Sequence, residues 1–225
     1  MRKTITLLLL LAFAVSYPTR SETYYSTRAN ITTDYFVAKP ISDSVFSRIK
    51  GKSYKTNCTV KRSELRYIRV LHYSFDNTVK TGELICHREI ASDIIAIFKK
   101  LYEAHYPIEQ IRLIDDFNAD DELSMSNNNT SCFNFRNVSG SRKLSAHSLG
   151  KAIDINPLYN PCIRHRRNGT VTVEPSKGKA YANRSKNFKY KIDRNDLAYK
   201  LFIQHGFKWG GAWRSIKDYQ HFEKE

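Results

Sequence analysis

The chain has 225 residues, of which 41% are apolar, so it can form one core domain with some decoration. It has no internal repeat or long low-complexity tract, and no apolar run beyond the N-terminal one reaches the roughly 20 residues that span a bilayer. The formal charge is +15, and removing Arg2 and Lys3 leaves +13. Such a surface attracts polyanions; it also aids solubility, and composition does not separate the two.

The N-terminus reads as a secretory signal. Arg2 and Lys3 form a basic start, Ile5 to Val15 is apolar, and Ala14 and Ser16 are small residues suited to cleavage after Ser16. An uncleaved anchor is the alternative. No Cys follows the apolar run, which argues against a lipoprotein. The expected location is secreted, periplasmic or otherwise in the cell envelope. There the available polyanions are wall polymers, peptidoglycan carboxylates and anionic membranes. The four cysteines, Cys58, Cys86, Cys132 and Cys162, then suggest disulfides. Four cysteines allow three pairings. The pairs Cys58–Cys86 and Cys132–Cys162 are expected because each closes a local loop.

Residues 17–60 are polar, broken by Pro18 and Pro40, and read as an N-terminal extension that wraps or partly frays; the main domain is expected over 61–225. Glu64 to Phe75 alternates as a strand, Asp76-Asn77 signals a turn, and Val79 to Cys86 returns. Arg88 to His105 carries a helical stripe of Ile90, Ile94, Ile97, Phe98, Leu101 and Tyr102, stopped by Pro107. Ile108 to Ile114 and Cys132 to Val138 are strand candidates, separated by an acidic loop from Asp115 to Glu122 and a polar loop from Ser124 to Ser131. Ala152 to Ile155 is a short buried strand. Asn160 to Lys191 is basic and reads as a long loop. Asp193 to His205 is a helix capped by Asp193 and ended by Gly206, and Gln220 to Glu223 is a final strand. Strands and helices segregate more than they alternate, so the fold class is α+β with a small antiparallel sheet flanked by helices.

Two stretches carry chemistry. In LSAHSLGKAIDINP, from Leu144 to Pro157, His147 and Asp154 stand seven residues apart, with the small residues Gly150 and Ala152 between them. In DYQHFE, Asp218 lies three residues before His221. Two His and an Asp are a common zinc ligand set, and a further carboxylate supplies a base.

Ser145 to Asp154 resembles the S-x-H-x-x-G-x-A-x-D signature of the zinc D-alanyl-D-alanine carboxypeptidases. That group includes the VanY-like enzymes, the D,D-dipeptidases of vancomycin resistance and the L-alanyl-D-glutamate endolysins. The wider LAS-type set takes in lysostaphin-type peptidases and the hedgehog domain. Asp218 to Glu223 resembles the group's second metal motif in its Asp-containing form. Gly206 to Trp213, Asn129 to Ser131 and Phe135-Arg136 resemble neighbouring parts of the VanY-like core. The resemblance runs from about Leu84 to Glu225. It implies a hedgehog/DD-peptidase-like fold, a Zn2+ cofactor and action on peptidoglycan stem peptides.

The resemblance makes His147, Asp154 and His221 the metal ligands. Three N/O ligands leave the fourth zinc position open, the catalytic arrangement. Asp218 is implied as general base. An offset of three puts Asp218 and His221 on opposite faces of a regular strand, so the segment must bend between them. Arg136 is implied to face the scissile carbonyl or a substrate carboxylate, since a guanidinium serves either. Ser145 either binds the substrate end or fixes the His147 loop. Asp121, Ser126 and Asn129, with Asp116, are candidates for a substrate rim. Glu223 reads as support for the site. His72, His87, His105, His165 and His205 are assigned no metal, and Trp209 and Trp213 read chiefly as packing residues. The activity expected is D-alanyl-D-alanine carboxypeptidase, with an L-alanyl-D-glutamate or cross-bridge endopeptidase and a non-catalytic wall-binding domain as alternatives. A monomer is expected. No nucleic-acid motif accompanies the basic charge, so no nucleic-acid partner is expected.

Overall fold

The computed structural model describes residues 34–166 and 168–225. The expected signal, residues 1–16, and the first part of the extension lie outside the described residues. The fold is α+β, built on small antiparallel sheets.

The first sheet pairs β1 (Val37–Pro40), β2 (Leu65–Tyr73) and β3 (Val79–His87) in the order β1-β2-β3. The β2–β3 hairpin closes where expected: Asn77 takes a positive φ of 61°, and Asp76 Oδ1 accepts from Thr78 N at 3.1 Å. Side chains alternate across the strands, so each face buries its own set. Ile68, Val70, Leu84 and Cys86 face one core cluster; Leu65 and Ile85 face another. The second face is covered by α1 (Asp43–Ile49), through Val45 and Ile49, with Ile41 and Val60. Residues 37–60 of the expected extension are thus joined to the sheet by β1 and to its core by α1.

The first face is covered by α2 (Ala91–Glu103), whose Ile94, Ile97, Phe98 and Leu101 are all buried, as the three- and four-residue spacing requires. Burying each such side chain contributes about 1.5–3 kcal/mol. His105, expected inside this helix, takes φ 53° just beyond its end and stacks on Tyr73 at 4.1 Å.

The strand expected over Ile108 to Ile114 shrinks to β4 (Gln110–Ile111) and gives way to a 3-10 helix at Ile114–Phe117. After α3 (Asp121–Ser126), β4 pairs in parallel with β5 (Asn129–Thr130). The strand expected over Cys132 to Val138 does not form; that stretch is anchored by isolated contacts instead, Ser131 to Asp154 and Asn137 to Leu144.

The second sheet has the order β6-β11-β9, from β6 (Ala152–Asp154), β9 (Lys208–Trp209) and β11 (His221–Glu223). The third, β10-β7-β8, comprises β7 (Cys162–His165), β8 (Val171–Glu174) and β10 (Ile216–Asp218). The basic stretch expected as one long loop therefore contains a hairpin, and Ser176–Tyr181 forms a 3-10 helix after it. The last helix, α4 (Leu197–Gln204), starts later than expected. Asp196, not Asp193, caps it by accepting from Tyr199 N at 3.2 Å.

The expected disulfides do not form: all four cysteines are free. The sheet separates the first pair. Cys58 packs with the Leu65 and Ile85 cluster, whereas Cys86 points into the opposite one. Cys132 is buried with its thiol toward Gly150 O at 3.6 Å, while Cys162 faces Asp218 in the third sheet.

Candidate metal centre

His147 sits in a 3-10 helix, Ala146–Leu149. Ser145 caps its start, accepting from His147 N at 3.3 Å, as expected of a residue that fixes the His147 loop, and it also lines the groove over the cluster. Gly150 ends the turn at φ +67°, where a Cβ would lie 2.8 Å from His87 N; glycine answers both the backbone angle and the close approach. The chain then enters β6 and reaches Asp154.

His221 opens β11 and stands directly opposite Asp154 in the antiparallel register. Cross-strand neighbours share a face, so this pairing brings the two side chains together. The next pair, Phe222 and Ile153, points the other way and is fully buried. Phe222 stacks on Phe202 of α4 at 4.4 Å, which ties the ligand strand to the core.

The three ligand candidates close on one another, each within 4.8 Å of the other two. His147 Nε2 lies 3.2 Å from His221 Nδ1, His221 Nδ1 lies 3.1 Å from Asp154 Oδ1, and His147 Nε2 lies 3.3 Å from Asp154 Oδ2. Ligands at about 2.0–2.1 Å around a tetrahedral zinc are about 3.3–3.4 Å apart. All three residues are buried, and they are the one such cluster among the described residues. The remaining ring nitrogens are occupied. His147 Nδ1 donates to Cys132 O, and His221 Nε2 donates to Glu223 Oε2 at 3.3 Å. Each partner fixes the tautomer that turns a lone pair toward the cluster centre. The donor set and its spacing therefore fit a metal ion. None of His72, His87, His105, His165 or His205 joins it.

Charge in the cluster is mutually supported. Burial opposes the Asp154 charge, yet His147 and His221 hold its carboxyl well below the usual range. Burial likewise opposes charge on His221, but Asp154 and Glu223 outweigh it and lift the imidazole to about 10. Protons thus compete with a metal for this nitrogen.

Asp218 ends β10. The chain bends at Tyr219 and Gln220, leaves the third sheet and enters the second at His221. The required change of direction is therefore a change of sheet. Gly210 lets this corner close: a Cβ there would meet Asp218 O at 2.7 Å, Asp218 Cβ at 2.8 Å and His221 Cβ at 3.3 Å. By the triangle inequality the Asp218 and His221 Cβ atoms lie within 6.1 Å of each other. Burial pushes the Asp218 carboxyl up to about 6, with Asp154 adding to the rise and His221 opposing it. Its Oδ1 is enclosed with no hydrogen-bond partner among the described residues. A carboxylate so placed is a competent proton acceptor near neutral pH.

A groove of 810 Å³ opens over the cluster and takes in Asp218, Arg136, Asp121 and Ser145. Arg136 is held at its wall by the Asp121 carboxylate, which also accepts from Asn134 Nδ2 at 3.0 Å. Ser126 and Asn129 do not line it. Asn129 is buried and holds Arg112 by its backbone, accepting from its N at 2.8 Å and donating to its O at 3.1 Å. Asp116 pairs with Arg112 at 3.0 Å, outside the groove. Trp209 packs inside, donating to Tyr219 O at 3.0 Å, whereas Trp213 lines the groove 5.3 Å from the His221 ring. Sequence reasoning missed Cys162, Arg164 and Glu174 as groove residues. The signal was present in the Val-Thr-Val-Glu alternation after Asn168-Gly169, a strand following a turn.

No curated protein and no solved structure matches the chain. A family model described as D-alanyl-D-alanine carboxypeptidase matches residues 139–224. That span contains His147, Asp154, Asp218 and His221 but begins after Arg136 and Asp121. The match supports a peptidase of the zinc D,D-peptidase family without singling out a member.

Proposed function

We propose that this chain is an exported, zinc-dependent D-alanyl-D-alanine carboxypeptidase acting on peptidoglycan stem peptides. The observation that carries the reading is the His147–Asp154–His221 cluster, with contacts of 3.1–3.3 Å, beside a buried carboxylate with a free oxygen. His147, Asp154 and His221 would hold the ion. Zinc, when bound, supplies Lewis acidity toward a carbonyl oxygen and acidifies water.

The chain's own residues supply the rest. Asp218 takes a proton from the attacking water and returns it to the leaving amine. Its enclosed Oδ1, which meets no hydrogen-bond partner among the described residues, is free to accept and return that proton. Arg136, oriented by Asp121, presents positive charge where a carbonyl oxygen gains negative charge. Glu223 and the Cys132 carbonyl keep the two imidazoles aimed. The net charge, +13 once Arg2 and Lys3 are removed, suits an envelope rich in anionic polymers and draws the chain toward its substrate.

The test is incubation of the protein with a D-Ala-D-Ala-ended pentapeptide and with purified sacculi, with and without a chelator, read by mass spectrometry. Release of one terminal alanine, abolished by chelation and restored by zinc, is the expected result. A new internal amine would instead identify an endopeptidase. Zinc binding without any product would identify a binding domain.

A further inference from the structure

The third sheet presents a second charged group to the groove beside Asp218. In the register, Asp218 stands opposite Cys162, which stands opposite Glu174; in the next row Ile216, Arg164 and Thr172 are aligned. Alternation puts both rows on one face. Asp218, Cys162, Arg164 and Glu174 all line the groove, and the intervening Ile163 is buried behind it.

Arg164 is incompletely used. Its Nη2 lies 3.7 Å from Glu174 Oε2, too long for a hydrogen bond. Its Nε–H is enclosed and meets no acceptor among the described residues. Its cross-strand neighbour Thr172 likewise has an enclosed hydroxyl without a partner. Enclosed donors without acceptors are costly, and a guanidinium fork matches a carboxylate. Arg136 also has an enclosed Nε–H without a hydrogen-bond acceptor, but its ion pair with Asp121 is closer than that of Arg164 with Glu174.

We infer that Arg164, supported by the Thr172 hydroxyl, binds the free α-carboxylate of the substrate's C-terminal residue. The inference rests on the carboxypeptidase reading of the same site and deepens it. In the hydrolysis, the water oxygen bonds to the scissile carbonyl carbon. The C–N bond breaks with its electron pair going to nitrogen, and a water proton passes through Asp218 to that nitrogen. The leaving nitrogen therefore sits at Asp218. In a C-terminal residue the carboxylate carbon is two bonds from that nitrogen. Arg164 stands diagonally across from Asp218 on the adjacent strand, and such neighbours are about 7–8 Å apart, so its long side chain reaches a carboxylate held there. Glu174 steadies the guanidinium from the far strand and repels a second anion. An internal peptide bond offers a neutral amide at this position, so Arg164 makes the groove a reader of chain ends.

The experiment compares D-alanyl-D-alanine with its C-terminal amide on wild type, Arg164→Gln, Arg164→Lys and Thr172→Val. Binding is followed by NMR on metal-free protein, and hydrolysis of N-acylated forms on zinc-loaded protein. Wild type is expected to prefer the free acid by ~10- to 100-fold, the range for a charged hydrogen-bonded pair. R164Q is expected to erase that preference by weakening binding of the acid alone, R164K to restore part of it, and T172V to lose a few-fold. In turnover the loss is expected in KM more than in kcat. A free-acid preference that survives in R164Q, or is absent in wild type, overturns the assignment. If R164Q does not fold, an unchanged preference in both R164K and T172V does so. Preference lost in R164Q in a protein that hydrolyses neither ligand sinks the carboxypeptidase reading and sustains the carboxylate site. Hydrolysis with preference intact in R164Q does the reverse.

Discussion

Asparagine at position 218 should stabilise the metal-free protein while disabling it. Burial lifts the Asp218 carboxyl from 3.8 to about 6, so ionising it in the folded chain costs about 3 kcal/mol. Asparagine keeps the shape and removes the charge. The sign follows from linkage. The folded state holds this proton more tightly than the unfolded state, so wild-type stability falls as pH rises from about 4 to about 6. The Asp218→Asn variant has no such proton. Its advantage should be near zero below pH 4, grow between 4 and 6, and level off at about 2–3 kcal/mol above that, since water reaching the partly exposed residue trims the full value. Urea unfolding of both chelated proteins at pH 4, 5, 6 and 7.5 measures the difference directly. Zinc should shrink it, because a divalent charge beside Asp218 favours the carboxylate. Hydrolysis by the zinc-loaded variant should fall at least ~100-fold. A stability difference that is flat with pH, or a variant less stable than wild type at pH 7.5, would refute the argument that burial costs this carboxylate its charge.

The neighbouring groups give sharper, smaller tests. Glu223→Gln leaves all three ligands in place but weakens the acceptor that orients His221; zinc affinity measured against a chromophoric chelator should drop ~10- to 100-fold, and an unchanged affinity would remove Glu223 from the site. Gly210→Ala adds a Cβ 2.7 Å from Asp218 O; it should cost about 1–3 kcal/mol in unfolding and lower kcat, and wild-type values of both would show that the corner is not close-packed. Alkylation in denaturant without reductant should label all four thiols, and in the folded protein Cys58 should react long before buried Cys86 and Cys132; fewer than four adducts would restore a disulfide.

How much of this was legible in the sequence depended on how local the cause was. The α2 stripe and the β2–β3 hairpin follow from residues a few positions apart, and both lie within a few residues of their expected bounds. The cluster of His147, Asp154 and His221 was legible as paired motifs, although nothing in the spacing of Asp154 and His221 reveals that they face each other across two strands. Cys132 to Val138 alternates like a strand but leaves β6 after the Ser131–Asp154 bridge, and its backbone turns to separate partners, Phe133 N to Ile85 O, Asn134 N to His147 O and Phe135 N to Ser53 O. The hairpin β7–β8 was hidden by its charge. Arg164 and Arg166 read as solvated loop, whereas Arg164 turns inward beside Asp218. The disulfide expectation failed for a related reason. Short separation along the chain says nothing about which face of a strand a side chain takes, and Cys86 takes the face away from Cys58.

The D-x-x-H spacing encodes a passage between sheets. The candidate ligands Asp154 and His221 belong to the sheet packed on α4, while Asp218 and Arg164 belong to the sheet beside it. Two residues join them in the chain, and both carbonyls of that joint are held: Tyr219 O by the Trp209 indole at 3.0 Å, and Gln220 O by Ile155 N at 3.0 Å. A displacement of 1 Å between base and reacting carbonyl can cost ~100-fold in rate, so the joint must be stiff. Trp209 and Gly210 supply that stiffness from one turn, the indole from one side and the missing Cβ from the other. On the proposed mechanism the Gly-Gly turn after Trp209 is part of the catalytic geometry, and Asp218 is positioned by how two small sheets meet.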